Sequence, residues 1–292
     1  MQQGQPPRVS IVLPTYNGAK HLAESLDSVI GQSLTDWELI VVDDGSTDST
    51  PTIIEAYCQR DPRIRSVRNN PNRRLPGSLN VGFRLTQGRY LSWTSDDNRY
   101  RPAALERMAT CLDAHPDVGM VFADEWWFRD DEQGEVHHTR GMETFCEGNH
   151  IGACFMYRRE VAEAVGDYAE ETFLAEDYDY WVRIGLKFKL YHLEEVLYDY
   201  RVHDRSLSSS MTEAARQAAL AVRDRHLDAM SEHPITRANA LLAKMRRALE
   251  TGDRRTARQA LFRLLIKEPL FLRKHRRLAL ATISGRPIRG CS

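Results

Sequence analysis

Residues 37–45, WELIVVDDG, decide how this chain folds. Leu39 to Val42 is apolar without alternation, as in a strand covered on both faces within a parallel sheet. Working outward, VSIVLPTY (9–16) is a second such run, and apolar positions at Leu22, Leu26, Val29 and Ile30 between the two have helical spacing. On the other side, Ser49 or Thr50 caps a helix with Pro51 in its first turn, running to about Arg60. IRSVR (64–68) predicts a short strand, 76–87 a helix, RYLSW (89–93) a buried strand, and a further helix begins near Pro102. The alternation predicts an α/β fold: a doubly wound, mostly parallel sheet flanked by helices. Ligands in such sheets bind outside the carboxyl ends of the strands. Pro14-Thr15-Tyr16, Asp43-Asp44 and Asp96-Asp97 should therefore open on one rim.

After Val118 the pattern changes. VGMVFADEWWF (118–128) predicts a longer strand, with EVHHTR (135–140) as its hairpin partner. An apolar stretch follows at 150–158, a helix at 176–187, and at 189–203 a strand pair or one long bent strand. From Thr212 onward the chain reads as helical, with a break at TGDRR (251–255) that suggests a helical hairpin. That tail holds 18 Lys+Arg against 7 Asp+Glu, whereas residues 1–211 hold 22 against 34. An acidic body thus carries a basic tail.

Composition narrows the function classes. The 292 residues contain no apolar run long enough to span a bilayer, and MQQGQPPR lacks the apolar core of a secretory signal. Five cysteines, odd in number and without CxxC spacing, argue against a disulfide framework or structural zinc, and for a reducing compartment. An acidic body without aromatic–basic interleaving speaks against nucleic-acid binding.

The strand ends offer the chemistry. Asp96-Asp97 suits a hard divalent cation shared with substrate phosphates, although Asp97 or Asn98 could equally cap the next helix. Asp43-Asp44-Gly45-Ser46 can accept hydrogen bonds from a base or ribose, or simply close its turn. Neither GxxxxGK[ST] nor GxGxxG follows the first strand, so a nucleotide here would need a metal rather than a glycine nest. Arg73 and Arg74 lie between strand and helix, where guanidinium groups can meet phosphate or stand in a solvated loop. Trp126 and Trp127 suit sugar stacking, but neighbours in a strand point to opposite faces, so at least one should be core.

Four blocks in order resemble the inverting family 2 glycosyltransferases of GT-A fold. They are the opening VSIVLPTYNGAKHLAESLDSVIGQSLTDWELIVVDDGSTDST, then LNVGFRLTQGRYLSWTSDDNRYRPAALERM, AEDYDYWVRIG and YRVHDRSLS, covering about residues 7–210. The resemblance implies that Pro14, Thr15 and Tyr16 line the nucleotide pocket, with Asp44 and Asp43 contacting base or ribose. It implies that Asp96 and Asp97 form the metal-binding motif, Asp97 being the direct ligand. The commonest version of that motif has an acidic residue where Thr94 stands. Asp177 matches the general base, with Glu176 beside it, and His203 a position near the metal or diphosphate, unless it is a packing histidine. Trp126, His150 and Gly152 fall on the implied acceptor side. The processive QxxRW motif is missing.

The expected enzyme is therefore a Mn²⁺- or Mg²⁺-dependent transferase, moving sugar from a nucleotide-diphosphate donor, UDP-sugar by family, to a glycan or lipid-linked acceptor of cell-surface polysaccharide. The alternative is a non-catalytic nucleotide-sugar-binding scaffold. Residues 7–211 would form the GT-A domain, with a nucleotide-binding half to about 117 and an acceptor-side half over 118–211, and 212–292 the basic helical region. The expected location is cytoplasmic, peripheral at the inner membrane face if the basic tail meets anionic lipid; FLRKHRRLALATI (271–283) mixes charges and apolar residues as a surface-lying helix does. A solvated helix face or a homodimer contact is the other use of that tail.

Overall fold

The computed structural model describes residues 6–130, 133–203, 212–274 and 282. It divides into two compact units. The first comprises residues 1–141 and 149–219, the second Met142–Gly148 and Leu220–Ser292. This differs from the division at 211/212 read from the sequence, because the short stretch Met142–Gly148 makes its contacts with helices far along the chain.

Among the described residues, the first unit is built on a nine-stranded sheet. Its parallel half consists of β1 (Val9–Thr15), β2 (Trp37–Asp43), β3 (Ile64–Arg68) and β4 (Tyr90–Trp93) in spatial order β3-β2-β1-β4. Helices α1 (Leu22–Ile30), α2 (Thr50–Arg60) and α3 (Arg74–Arg84) connect them. Every residue of β1 and β2 is buried, as their largely apolar runs demand, and Ser10 Oγ answers the buried Glu38 by donating to its Oε1 at 2.6 Å. Val9, Ile11 and Leu13 pack with Leu22, Leu26 and Val29 of α1 and with Leu105, Met108 and Leu112 of α4 (Ala104–Ala114).

The other face of β1 lies so close to α3 that a Cβ on Gly82 would come within 2.4 Å of Val12 Cγ1 and 3.0 Å of Val42 Cγ2. Gly82→Ala is accordingly expected to destabilise the fold by about 1–3 kcal/mol through overpacking, seen as a lowered Tm. An unchanged Tm would show that α3 can move off the sheet at no cost.

The sheet continues through β8 (Phe155–Arg158), β6 (Val118–Phe128), β9 (Lys189–Arg201) and β5 (Arg99–Tyr100), with β7 (Gly134–His137) paired to β6. β8 is antiparallel to both β4 and β6, while β9 runs parallel to β6. The sheet is thus mixed, although β1–β4, β6 and β9 share one direction. β9 is one long strand, its pairing with β6 shifting register around Asp124. α5 (Arg159–Val165) and α6 (Glu176–Gly185) complete this part.

Beyond it run α7 (Thr212–Glu232), α8 (Arg237–Glu250), α9 (Arg254–Lys267) and α10 (Pro269–Lys274). α8 and α9 form the expected hairpin. Gly252 turns at φ +77, and Asp253 caps α9 by accepting from Thr256 N at 3.0 Å. Leu241, Leu242, Met245 and Ala248 pack against Ala257, Ala260, Leu261 and Leu264. Within the same unit, Asn239 Nδ2 donates to Glu143 O at 2.9 Å, and Cys146 Sγ lies 3.9 Å from Met230 Sδ. No helix among the described residues is long and apolar enough to cross a membrane. Cys58, Cys111, Cys146 and Cys154 are free thiols; Cys291 and most of the stretch 271–283 lie outside the described residues.

Candidate active site

The ends of β1, β2 and β4 are stitched together on one rim. Asp44 N donates to Thr15 O at 2.8 Å, Thr94 N to Val12 O at 3.0 Å, and Thr15 Oγ1 to Asp96 Oδ2 at 2.5 Å. Asn17, at φ +55, accepts from Thr47 N through its side chain while its own N–H donates to Ser46 Oγ. Pro14 is buried inside this stitching, and Tyr16 is exposed at the strand end.

Asp43 and Asp44 are both buried, and they divide the work. Asp43 accepts from Arg68 Nη1 at 2.5 Å and from Ser46 N at 2.8 Å, closing the β2 turn. Asp44 Oδ1 accepts from Asn69 Nδ2 and Arg73 N, both at 2.8 Å. Beside Asp43 and Arg68 lies an open cleft of about 350 Å³, walled by Ile54, Cys58 and Val67.

At the β4 end, Asp96 and Asp97 stand adjacent. Burial, then the neighbouring Asp97 charge, push Asp96 up to about 7. Asp97 Oδ2 lies 2.9 Å from His203 Nε2, while its Oδ1 is buried with no hydrogen-bond partner among the described residues. An orphaned buried carboxylate oxygen is costly, and a cation would satisfy it. Among the described residues no three His, Cys, Asp or Glu side chains converge on one point. A cation bound by this pair would therefore complete its shell with phosphate and water oxygens, as Mg²⁺ commonly does. Neither Asp97 nor Asn98 caps α4. Asn98 Oδ1 accepts from Arg201 N instead, and Thr94, where an acid is commonest, is buried against Tyr198 OH at 2.6 Å.

Arg201 is a residue that sequence reasoning passed over. Its buried guanidinium donates to Asp97 O at 3.1 Å, Asp130 Oδ1 at 2.8 Å and Glu24 Oε2 at 2.5 Å. It holds the backbone of the acidic pair in place.

The second carboxylate station is the start of α6. Asp177 Oδ1 accepts from its neighbour Tyr178 N at 2.6 Å and Oδ2 from Asn149 Nδ2 at 2.7 Å. Burial raises Asp177 above the usual carboxylate range against these two bonds. Glu176 is buried as well, accepts from Leu174 N at 2.7 Å, and is raised by burial and by the Asp177 charge. Leu174 pays for this entry into the helix with φ +78. Asn149 was likewise missed, since a lone Asn in a loop carries no motif.

Arg74 is exposed at the start of α3 with its guanidinium 5.2 Å from the Phe173 ring, close in sequence to Asp177. On the implied acceptor side, Arg140 Nη2 lies 3.0 Å from both ring nitrogens of His150. Gly152 sits at φ +77, where a Cβ would lie 2.4 Å from Glu125 Oε1, so only glycine serves there. The expectation that Trp126 or Trp127 would be core is corrected. Both are half-buried, because β7 is an exposed edge strand that leaves their faces partly open, and Trp127 stacks on His137 at 4.2 Å. The structure brings Asp96 to Thr15, Asp97 to His203 and Asp177 to the chain beside His150.

Comparison with known proteins settles the lineage. The sequence profile of glycosyl transferase family 2 matches residues 10–166. The chain belongs to that family. EpsE of Bacillus subtilis (strain 168), itself named a glycosyltransferase only provisionally, is 32% identical over 211 residues, 67% of this chain and 73% of its own. S. aureus TarS 1–349, solved in complex with UDP-GlcNAc, superposes with a TM-score of 0.62 at 16% identity, over 97% of this chain and 93% of that one. The mannosyltransferase PcManGT from Pyrobaculum calidifontis, solved with GDP-Man and Mn²⁺, gives 0.57 at 20% identity, over 96% and 86%. The fold is that of the GT-A transferases, and a nucleotide-sugar transferase role in general goes with it for this family 2 member.

Proposed function

We propose that this family 2 chain catalyses inverting transfer of a sugar from a uridine diphosphate donor to a hydroxyl of a glycan or lipid-linked acceptor, at the cytoplasmic face, in making cell-surface polysaccharide. The observation that carries the reading is a pair of carboxylate stations of different character. One, Asp96-Asp97, has a buried oxygen with no hydrogen-bond partner among the described residues; the other, Asp177, is clamped through both oxygens and raised by burial. Inversion needs a base to take the acceptor proton as its oxygen attacks the anomeric carbon. Asp177 does this, its proton affinity lifted toward working pH. Asp44 and the β1 end receive the nucleoside, and Arg74 faces phosphate. Asp97 and Asp96, with His203 beside them, would hold a divalent cation that supplies positive charge against the departing diphosphate.

A screen of nucleotide sugars for thermal stabilisation and hydrolysis, with and without Mn²⁺ or Mg²⁺, tests the reading. Stabilisation by one donor with hydrolysis supports it. Binding without turnover under any acceptor would turn the chain into a non-catalytic scaffold.

The Asn149 clamp gives a sharper prediction. Hydrogen bonding stabilises the charged form of Asp177, so Asn149→Ala should raise its proton affinity further and move the acid limb of the kcat/KM profile to higher pH. A hydrogen bond to a charged group contributes about 1.5–3 kcal/mol, equivalent to about one to two pH units. Donor affinity and Tm should stay near the parent values. A superimposable pH profile would show that Asn149 does not act on the base.

A further inference from the structure

α9 has two apolar faces and needs only one. Ala257, Ala260, Leu261 and Leu264 fill the hairpin core. Away from them, Phe262 is 64% exposed, Leu265 52%, Ile266 58% and, just past the helix, Leu270 81%. Their spacing places Phe262, Leu265 and Ile266 on one side of the helix, where a solvated helix carries polar residues. Single exposed apolar side chains are ordinary, but a contiguous cluster marks a contact.

The charges around the cluster say what it meets. Arg258 and Arg255 precede Phe262 by one and two turns on the same side, and both are exposed. From Arg254 to Lys274 the sequence holds seven basic residues and one acid, Glu268. That acid is paired with Arg237 at 3.6 Å. A second copy docking face to face would bring the same basic stretch, its one acid already paired, against Arg255 and Arg258, and like charges oppose that arrangement. A surface of anionic phospholipid answers both features at once: phosphates meet the guanidinium groups, and the acyl boundary takes Phe262, Leu265 and Ile266.

We propose that the outer face of α9 docks the protein on an anionic bilayer. This deepens the reading of a lipid-linked acceptor, yet it can be tested without donor or acceptor, so the two stand or fall separately.

The full chain should co-sediment with phosphatidylcholine vesicles containing phosphatidylglycerol, much less with phosphatidylcholine alone, and progressively less as salt rises. Phe262→Glu with Ile266→Glu, both at exposed positions, should abolish binding while leaving donor-induced thermal stabilisation unchanged. Arg255→Ser with Arg258→Ser should weaken the partition about tenfold or more, since each surface cation contributes appreciably to lipid attraction. Equal binding to neutral and anionic vesicles, or none to either, would overturn the proposal. So would a dimer in sedimentation equilibrium that Phe262→Glu dissociates while vesicle binding is absent, which would give the face to a second copy.

Discussion

Asp177→Asn is expected to bind donor as the parent does and to turn it over about 10²–10⁴-fold more slowly, the usual cost of losing a general base. The amide keeps the shape of the side chain, so the hydrogen bond from Tyr178 N can still be accepted by its oxygen. It cannot take a proton from the acceptor. Asn149 Nδ2, which donates to Asp177 Oδ2 at 2.7 Å, would face either that same oxygen or an opposing NH₂, and an amide flip settles which contact is lost. The damage should thus be in kcat, with donor Kd and Tm close to the parent. The pH profile adds a second check. Burial raises Asp177, so parent activity should fall as pH drops through a pKa above the ordinary carboxylate range. That limb should vanish from whatever activity the variant retains. Full transfer activity in a folded Asp177→Asn protein would remove Asp177 from the mechanism.

Asp97→Ala should abolish the Mn²⁺- or Mg²⁺-dependent part of donor binding, measured by calorimetry with uridine diphosphate in the presence and absence of the ion. Few protein oxygens hold such a cation, so the loss of one is not made good by its neighbours. The fold should survive, because Arg201 grips this segment through the Asp97 carbonyl and through Asn98, neither of which the substitution removes. Deleting a buried oxygen that has no partner among the described residues also relieves a desolvation cost. The lost contact of Asp97 Oδ2 with His203 Nε2 opposes that relief, so Tm without ligand should stay near the parent value even as ion-dependent binding disappears. Undiminished Mn²⁺-stimulated turnover would show that the ion, if used, is held elsewhere.

The parallel half of the sheet was legible because strands covered on both faces must be apolar at every position. VSIVLPT and WELIVVD became β1 and β2 at the expected places, whereas IRSVR, mostly exposed as β3 at the edge of the sheet, was marked by its Ile and Val alone. The insertion of antiparallel β8 between β4 and β6 was not legible. Strand order is set by long-range packing, which leaves no local pattern. Glu194 and Glu195 interrupt an apolar stretch as a turn would, but the structure absorbs them as an irregularity within a single β9.

At the site, legibility followed chain geometry. Thr15, Asp44, Asp96 and Asp97 were expected on one rim, where the structure has them, because parallel strands present their ends together. Arg201 and Asn149 escaped because each acts on a residue remote in sequence, and their types alone announce nothing. The tryptophans misled for a related reason: alternation tells which faces two neighbours occupy, but not whether anything covers those faces.

The chain passes between its two compact units three times, at 141/142, 148/149 and 219/220. The helical region is therefore not a cassette that can be exchanged at one cut. A chimera that swaps residues 220–292 alone would leave the native Met142–Gly148 strand of contacts to meet foreign helices, and one that swaps the loop alone would strand the helices in the same way. Relatives that trade tails should have had to trade this short loop with them, and because Asn149 begins where the loop ends, a change of tail would be inherited together with a change beside Asp177.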